Sequence, residues 1–327
     1  MQGSRLGERS TPMCGDVVSV IRVSVQGQLE NSSRWLELAK AAEAGGFDTL
    51  YVADHPGTSP APFVALAAAA TVTERIRLGT CVLNAGRWEP LALASEVATL
   101  DVLSDGRALL GIGAGHTPAE WLMAGLEIPR PGLRVARLTE VAEAVRLLLT
   151  GDEVSLSGVH VELKKAVLKQ PRPIQDSIPL MIGGNGRNLL RFAATAADIV
   201  GVTGLGRTSA DGHSHEVDWR ATTLDSTFDL IRLAAGATGR TPSIEALVQH
   251  VEFTDDAEAH AHEIAKVIPG ASGGDILASP FVWIGTPEEI VQQLQGYKKR
   301  WGVTRYVVRE VAFDQASEIL RALETGG

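Results

Sequence analysis

The order of apolar patterns along the chain predicts an α/β fold, a (β/α)8 TIM barrel with insertions at its C-terminal mouth. Three observations carry this. Short β-branched runs alternate with longer helix-period segments, eight such runs can be counted, and several are apolar without alternation, as strands covered on both faces must be. The eight are Val17 to Val25, Phe47 to Ala53, Ile76 to Leu83, Arg107 to Gly113, Pro179 to Gly183, Asp198 to Thr203, Ser243 to Phe253 and Arg305 to Val308.

The first helix starts at Asn31 or Ser32, whose side-chain oxygens suit free backbone N–H groups, and places Trp35, Leu38, Ala39 and Ala42 on one face. Gly45 and Gly46 end it. The run Ala61 to Ala70 is apolar but too short to span a bilayer and reads as a packed helix. Leu93, Val97 and Leu100 mark the third helix; Val135, Leu138, Val141, Ala142, Val145 and Leu148 mark the fourth. Alternation within Glu153 to Pro173 predicts a β-hairpin, and both it and Gly204 to Asp218 are expected over the barrel mouth. Pro269 to Pro280, with three glycines, reads as a mobile loop before Phe281 to Ile284.

No repeat or low-complexity linker divides the 327 residues, so one barrel domain (16–327) is expected behind a disordered tail (1–15). A formal charge of -9 without a basic stripe excludes nucleic acid as the principal partner. The polar start lacks the apolar core of a secretory signal, no run reaches membrane-spanning length, and Cys14 and Cys81 cannot build a disulfide framework. A cytoplasmic protein acting on small molecules is the expectation.

Barrel enzymes keep their reacting groups just beyond the strand ends. Those positions hold Tyr51-Val52-Ala53-Asp54-His55, Leu78-Gly79-Thr80-Cys81-Val82-Leu83-Asn84, Gly111-Ile112-Gly113-Ala114-Gly115-His116 and Pro179-Leu180-Met181-Ile182-Gly183-Gly184-Asn185-Gly186. The last opens a helix, so its free N–H groups suit an anion such as phosphate, although a glycine turn serving only close packing has the same pattern.

These motifs, with Leu100 to Arg107 before the fourth strand, resemble those of luciferase-like monooxygenases, particularly the branch using coenzyme F420, a deazaflavin; the likeness covers residues 17 to 310. It implies a redox enzyme, a possible homodimer, with cofactor contacts at Asp54, His55, Cys81, Val82, Asn84, Gly115, His116, Gly183, Gly184, Asn185 and Gly186. The bulge at Cys81-Val82 would support the ring system and contain a non-prolyl cis peptide. His55 would stand beside the reactive face as the catalytic residue, with Asp54 orienting it or capping the next turn. Related sugar-phosphate dehydrogenases carry a glutamate acid where His116 stands, a departure that counts against sugar-phosphate oxidation. Glu120 is either a further contact or, more commonly for such a position, a solvated carboxylate at a helix start.

The competing expectation is FMN in the same mouth, activating O2 for monooxygenation; a barrel that only binds is a third. No metal site is expected: His213-x-His215 lies in a loop, and His260-x-His262 lies on a helix where residues two apart diverge. There is no G-x-S-x-G elbow, and Gly111-x-Gly113-x-Gly115 lacks the dinucleotide-binding spacing.

Overall fold

The computed structural model describes residues 20–208 and 215–325, so the expected tail and the start of the first strand run lie outside the described residues. Eight parallel strands form the barrel: β1 (Arg22–Gln26), β2 (Thr49–Val52), β3 (Arg77–Thr80), β4 (Ala108–Gly113), β5 (Leu180–Gly183), β6 (Ile199–Val202), β7 (Ser243–Leu247) and β8 (Val303–Arg309). Their order is β3-β2-β1-β8-β7-β6-β5-β4, and pairing of Leu78 with Ala108 closes β3 onto β4. Closure leaves no open edge, and each strand end then points to one common mouth.

The helices form where the sequence predicts them. Asn31 accepts a hydrogen bond from the Arg34 backbone at 3.0 Å and caps Ser32–Ala44, whose buried face is Trp35, Leu38, Ala39 and Ala42. Pro90–Leu103 buries Leu93, Val97 and Leu100, and Pro131–Thr150 buries Leu138, Val141, Ala142, Val145 and Leu148. Val135 is only partly buried, because it lies near the start of its helix, ahead of Leu138, where the buried face begins.

Apolar burial divides into two layers. The larger joins strands to helices; the smaller fills the barrel and contains Tyr51, Leu109, Met181, Ile199 and Val307, with Cys81, Val82 and Leu247 at its border. Below it lies a buried charged group: Arg305 Nε donates to Glu245 Oε2 at 3.0 Å, its Nη2 pairs with Asp48, and Tyr51 Oη donates to Glu245 Oε2 at 3.3 Å. The Leu100 to Arg107 motif braces the opposite end from the mouth. Asp101 accepts the backbone N–H groups of Ile174 and Gln175 at 2.7 and 3.0 Å, and Arg107 donates to the carbonyls of Thr73 and Ile76 at 2.9 and 2.8 Å.

Three expectations need correction. The run Ser243 to Phe253 is two strands: β7 ends at Leu247, and His250–Phe253 pairs in parallel with Val282–Gly285 outside the barrel. The Gln249 N–H turns to the Phe281 carbonyl at 2.7 Å, and unbroken apolar patterning hides that turn. Pro269 to Pro280 is no simple loop. Ser272 and Asp275 form a capping box that starts the helix Gly273–Leu277, a pattern visible as Ser-x-x-Asp. The hairpin Val154–Ser157/Glu162–Ala166 does form, but it lies along Pro131–Thr150 rather than over the mouth: Glu140 accepts the N–H groups of Val159, His160 and Val161 at 3.1, 2.7 and 2.8 Å. Gly204 to Asp218 does reach the mouth, as the antiparallel pair Leu205–Thr208 and His215–Val217. Residues 209–214 of that segment, including His213, lie outside the described residues.

Candidate active site at the barrel mouth

Where β3 ends, the peptide between Cys81 and Val82 is cis, as the resemblance implied. Gln26, at the end of β1, donates its Nε2 to the Cys81 carbonyl at 2.7 Å and fixes the bulge from the neighbouring strand. The bulge lays the Val82 methyls over β4 and β5. A Cβ on Gly113 would sit 2.7 Å from one methyl and a Cβ on Gly183 2.9 Å from the other, so both positions are held to glycine by contact. The result is a small apolar floor. Burial and the Glu245 carboxylate push the Cys81 thiol well above its ordinary range, so it is no nucleophile at neutral pH.

Asp54 is buried and accepts the Asn84 backbone N–H and the Trp88 indole N–H, each at 3.1 Å, while Arg87 approaches to 3.6 Å. Of the two roles left open for it, it therefore fastens the turn after β3 and does not orient His55. That task falls to Glu120. His55 Nδ1 lies 2.6 Å from Glu120 Oε1, and the carboxylate is only 9% exposed against 43% for the imidazole. The contact with Glu120 raises the proton affinity of His55 above its ordinary range, against the opposing effect of desolvation. Glu120 is thus not a solvated helix-start carboxylate.

Gly115 has φ +68°, and a Cβ there would come within 2.1 Å of the Asn84 side-chain oxygen, so this turn requires glycine twice over. Arg134 donates to its carbonyl. Asn84 Nδ2 is a buried donor without a protein acceptor. His116 follows, with its ring centroid 6.3 Å from that of His55 and 5.2 Å from that of His215. Desolvation in the concave mouth, then the nearby His215 and His55, push His116 down to about 4; water at the exposed edge of the ring moderates this.

The Gly183 to Gly186 turn is tied down at Gly184, whose N–H donates to Gly201 O at 3.0 Å, and at Asn185, whose side chain accepts from Thr203 N at 3.2 Å and donates to Thr203 Oγ1 and the Leu205 carbonyl. Beyond it, Arg187–Ala196 starts without a side-chain cap and without an acid in its first turn. Its first N–H groups can donate to an anion from outside.

Every sequence-predicted site residue therefore lies at the same end of the barrel. Sequence reasoning missed Gln26, whose signal was a lone amide ending an apolar strand, and underrated Glu120, four residues past His116 and on the inward face of Pro118–Met123. Of the histidine pairs set aside as metal ligands, His213 lies outside the described residues, and His260 turns its Nδ1 to Glu252 Oε1 at 2.8 Å, a carboxylate whose Oε2 also faces His250 Nε2 at 3.0 Å. Among the described residues no group of three or more His, Cys, Asp or Glu side chains could hold a metal ion, and no helix is long and apolar enough to cross a membrane.

The family model described as luciferase-like monooxygenase matches residues 15–305. The chain belongs to the luciferase-like monooxygenase family. Among curated relatives it is 35% identical, over 184 residues, to an uncharacterized protein of Mycobacterium tuberculosis (49% of this chain, 64% of that one). It is 34% identical, over 171 residues, to an F420-dependent glucose-6-phosphate dehydrogenase of Amycolatopsis mediterranei (50% and 51%). The alignments thus span between about half and two thirds of the length of these curated relatives. The fold matches that of the coenzyme F420 dependent tetrahydromethanopterin reductase from Methanopyrus kandleri, with TM-score 0.72 and 23% identity over 92% of this chain and 97% of that one. It equally matches a long-chain alkane monooxygenase, with TM-score 0.73 and 18% identity over 94% and 92%. The same fold is thus found in a protein named as a coenzyme F420 dependent reductase and in one named as a monooxygenase.

Proposed function

We propose that this luciferase-like family member is a coenzyme F420-dependent oxidoreductase that moves hydride between the cofactor and a small organic molecule. The carrying observation is the 2.6 Å His55–Glu120 contact beside the glycine-lined floor of Val82. A redox reaction that adds or removes hydride also needs a proton handled nearby, and an imidazole held by a buried carboxylate can do this. The relatives named F420-dependent glucose-6-phosphate dehydrogenases, 32 to 36% identical to this chain, support the cofactor class.

The residues present fit such a group. Val82 offers an apolar face for a planar ring, Asn84 Nδ2 is a buried donor seeking an acceptor, and the Gly183 to Gly186 turn suits a phosphate. Bound there, the deazaflavin would supply the hydride-carrying carbon. His55 would hold or deliver the proton, Gln26 would keep the bulge in place, and His116 would present a neutral ring where a glutamate acid serves related sugar-phosphate dehydrogenases. That difference argues for a substrate other than a sugar phosphate.

Titration with oxidised and reduced F420 and FMN, followed by fluorescence and bound stoichiometry, tests the reading. Tight F420 with weak FMN binding is expected. The reverse favours an FMN monooxygenase, and binding with no turnover under any acceptor favours a barrel that only binds.

A further inference from the structure

We propose that Arg309, at the end of β8, selects the substrate by charge: its guanidinium takes a carboxylate on the molecule that lies over the Val82 floor. The inference rests on the deazaflavin reading and deepens it by naming the substrate class, a small carboxylic acid.

Strand geometry puts this side chain in the mouth. Residues along a strand alternate between its faces, and on β8 both Arg305 and Val307 point into the barrel, the first to Glu245 and the second in the inner apolar layer. Arg309 continues that face. It stands two residues, about 6–7 Å, above the buried Val307 and is itself exposed. It pairs in register with Gln26, whose Nε2 holds the Cys81 carbonyl, so the cation rises beside the support of the floor. His55, whose proton affinity is set first by the Glu120 hydrogen bond, and Cys81, set first by burial, both feel the Arg309 charge.

The two arginines on this face have opposite surroundings. Arg305 is neutralised by Glu245 and Asp48. Arg309, four residues on, has no hydrogen bond or ion pair with any of the described residues. The adjacent acid, Glu310, turns instead to the Gln28 N–H at 2.7 Å and fastens the end of β8 to the segment after β1. Two other guanidinium groups by the mouth are engaged: Arg87 lies 3.6 Å from Asp54, and Arg134 donates to the Gly115 carbonyl. The acceptor that Arg309 lacks within the protein is one a ligand can bring.

The strand order fixes what lies opposite. In the closed order β3-β2-β1-β8-β7-β6-β5-β4, β8 and β4 are four strands apart in either direction. Arg309 therefore faces, across the mouth, the end of β4, beyond which His116 presents its ring, and the Val82 methyls lie on that far side against Gly113 and Gly183. His55, just past β2, stands midway, two strands from each. A molecule spanning the mouth thus meets a cation at one end and the floor at the other, with His55 beside it. One guanidinium offers two parallel N–H groups that match a planar carboxylate. A phosphate dianion calls for more positive charge, and none of the lysines follows a barrel strand.

The test titrates the full chain, with oxidised F420 bound, with benzoate, 4-formylbenzoate, fumarate and pyruvate, each beside its methyl ester, and with phenyl phosphate, followed by calorimetry and cofactor fluorescence. Wild type should take at least one acid about 10–100-fold more tightly than its ester, as expected for a charge-assisted pair. The preference should vanish in Arg309→Met and persist in part in Arg309→Lys, while F420 affinity and the urea midpoint of Arg309→Met stay at the wild-type values. No acid preferred over its ester, or a preference that survives Arg309→Met, overturns the proposal. Phenyl phosphate bound more tightly than every acid overturns the carboxylate class. A fall in F420 affinity or in the urea midpoint of Arg309→Met shows the guanidinium serving the cofactor or the fold, and overturns it too. Failure of wild type to bind F420 is seen before any acid is added and overturns the reading beneath the proposal.

Discussion

One methyl of Val82 rests against the bare α-carbon of Gly183, where a Cβ would lie only 2.9 Å away. That contact joins the bulge after β3 to the glycine turn after β5, the two features expected to hold the ring and the phosphate of one cofactor. Neither can shift alone.

Gly183→Ala and Gly113→Ala are therefore expected to displace Val82. Overpacking of this kind costs about 1–3 kcal/mol. F420 affinity should fall by more than the urea midpoint does, because the floor itself moves. Isothermal titration beside urea denaturation checks this, and unchanged affinity in either variant would contradict the assigned floor.

Gly115→Ala combines a left-handed backbone with a Cβ 2.1 Å from the Asn84 oxygen. A destabilisation of about 2 kcal/mol or more is expected from the sum of strain and overlap. Thermal unfolding of the purified variant provides the measurement.

Asp54 holds two N–H groups and faces Arg87 while itself 7% exposed. Removing it leaves those donors buried without an acceptor, so Asp54→Ala should lose about 3 kcal/mol, since hydrogen bonds to charged groups contribute about 1.5–3 kcal/mol each. Asp54→Asn, which keeps one acceptor oxygen, should lose less. Equal losses in the two variants would show that the retained oxygen contributes nothing and that the effect lies in the charge of the carboxylate.

Arg305 bridges Glu245 and Asp48 inside the barrel. Arg305→Met leaves two buried carboxylates, a loss of about 3–5 kcal/mol. The double variant Arg305→Met, Glu245→Leu should recover part of it. A double-mutant cycle in urea measures the coupling, and simple additivity would contradict the pairing.

His116 is expected to impose an acid-side loss of stability. Its folded value, about 4, lies below the ordinary histidine value of about 6.5, so between them the unfolded chain binds the proton more readily. Stability should fall as pH drops from about 6.5 to 4, modestly because water reaches the ring, and His116→Asn should flatten that part of the curve. Unfolding midpoints across this range give the answer.

The barrel was legible because its strands are buried on both faces and its helices carry apolar stripes at the right period, so burial leaves a one-dimensional trace. The mouth was legible at Asp54, His55, Gly115 and Gly183 because backbone turns demand particular residues at strand ends. What was hidden depends on three-dimensional approach. Glu120 looks like any acid at a helix start until Trp121, wedged on Gly86, turns it inward. Gln26 looks like a strand terminus until β1 brings it beside Cys81. Ser243 to Phe253 looks like one strand, because the chain leaves the barrel at Gln249 without a glycine or proline to mark it.

The central claim, deazaflavin chemistry at this mouth, is tested most directly by competitive binding of reduced F420 and reduced FMN to the purified chain, read as fluorescence and stoichiometry. The account predicts one F420 per chain, bound more tightly than FMN, with affinity weakened in Gly183→Ala. Preferential FMN binding, or F420 binding indifferent to Gly183→Ala, would contradict it.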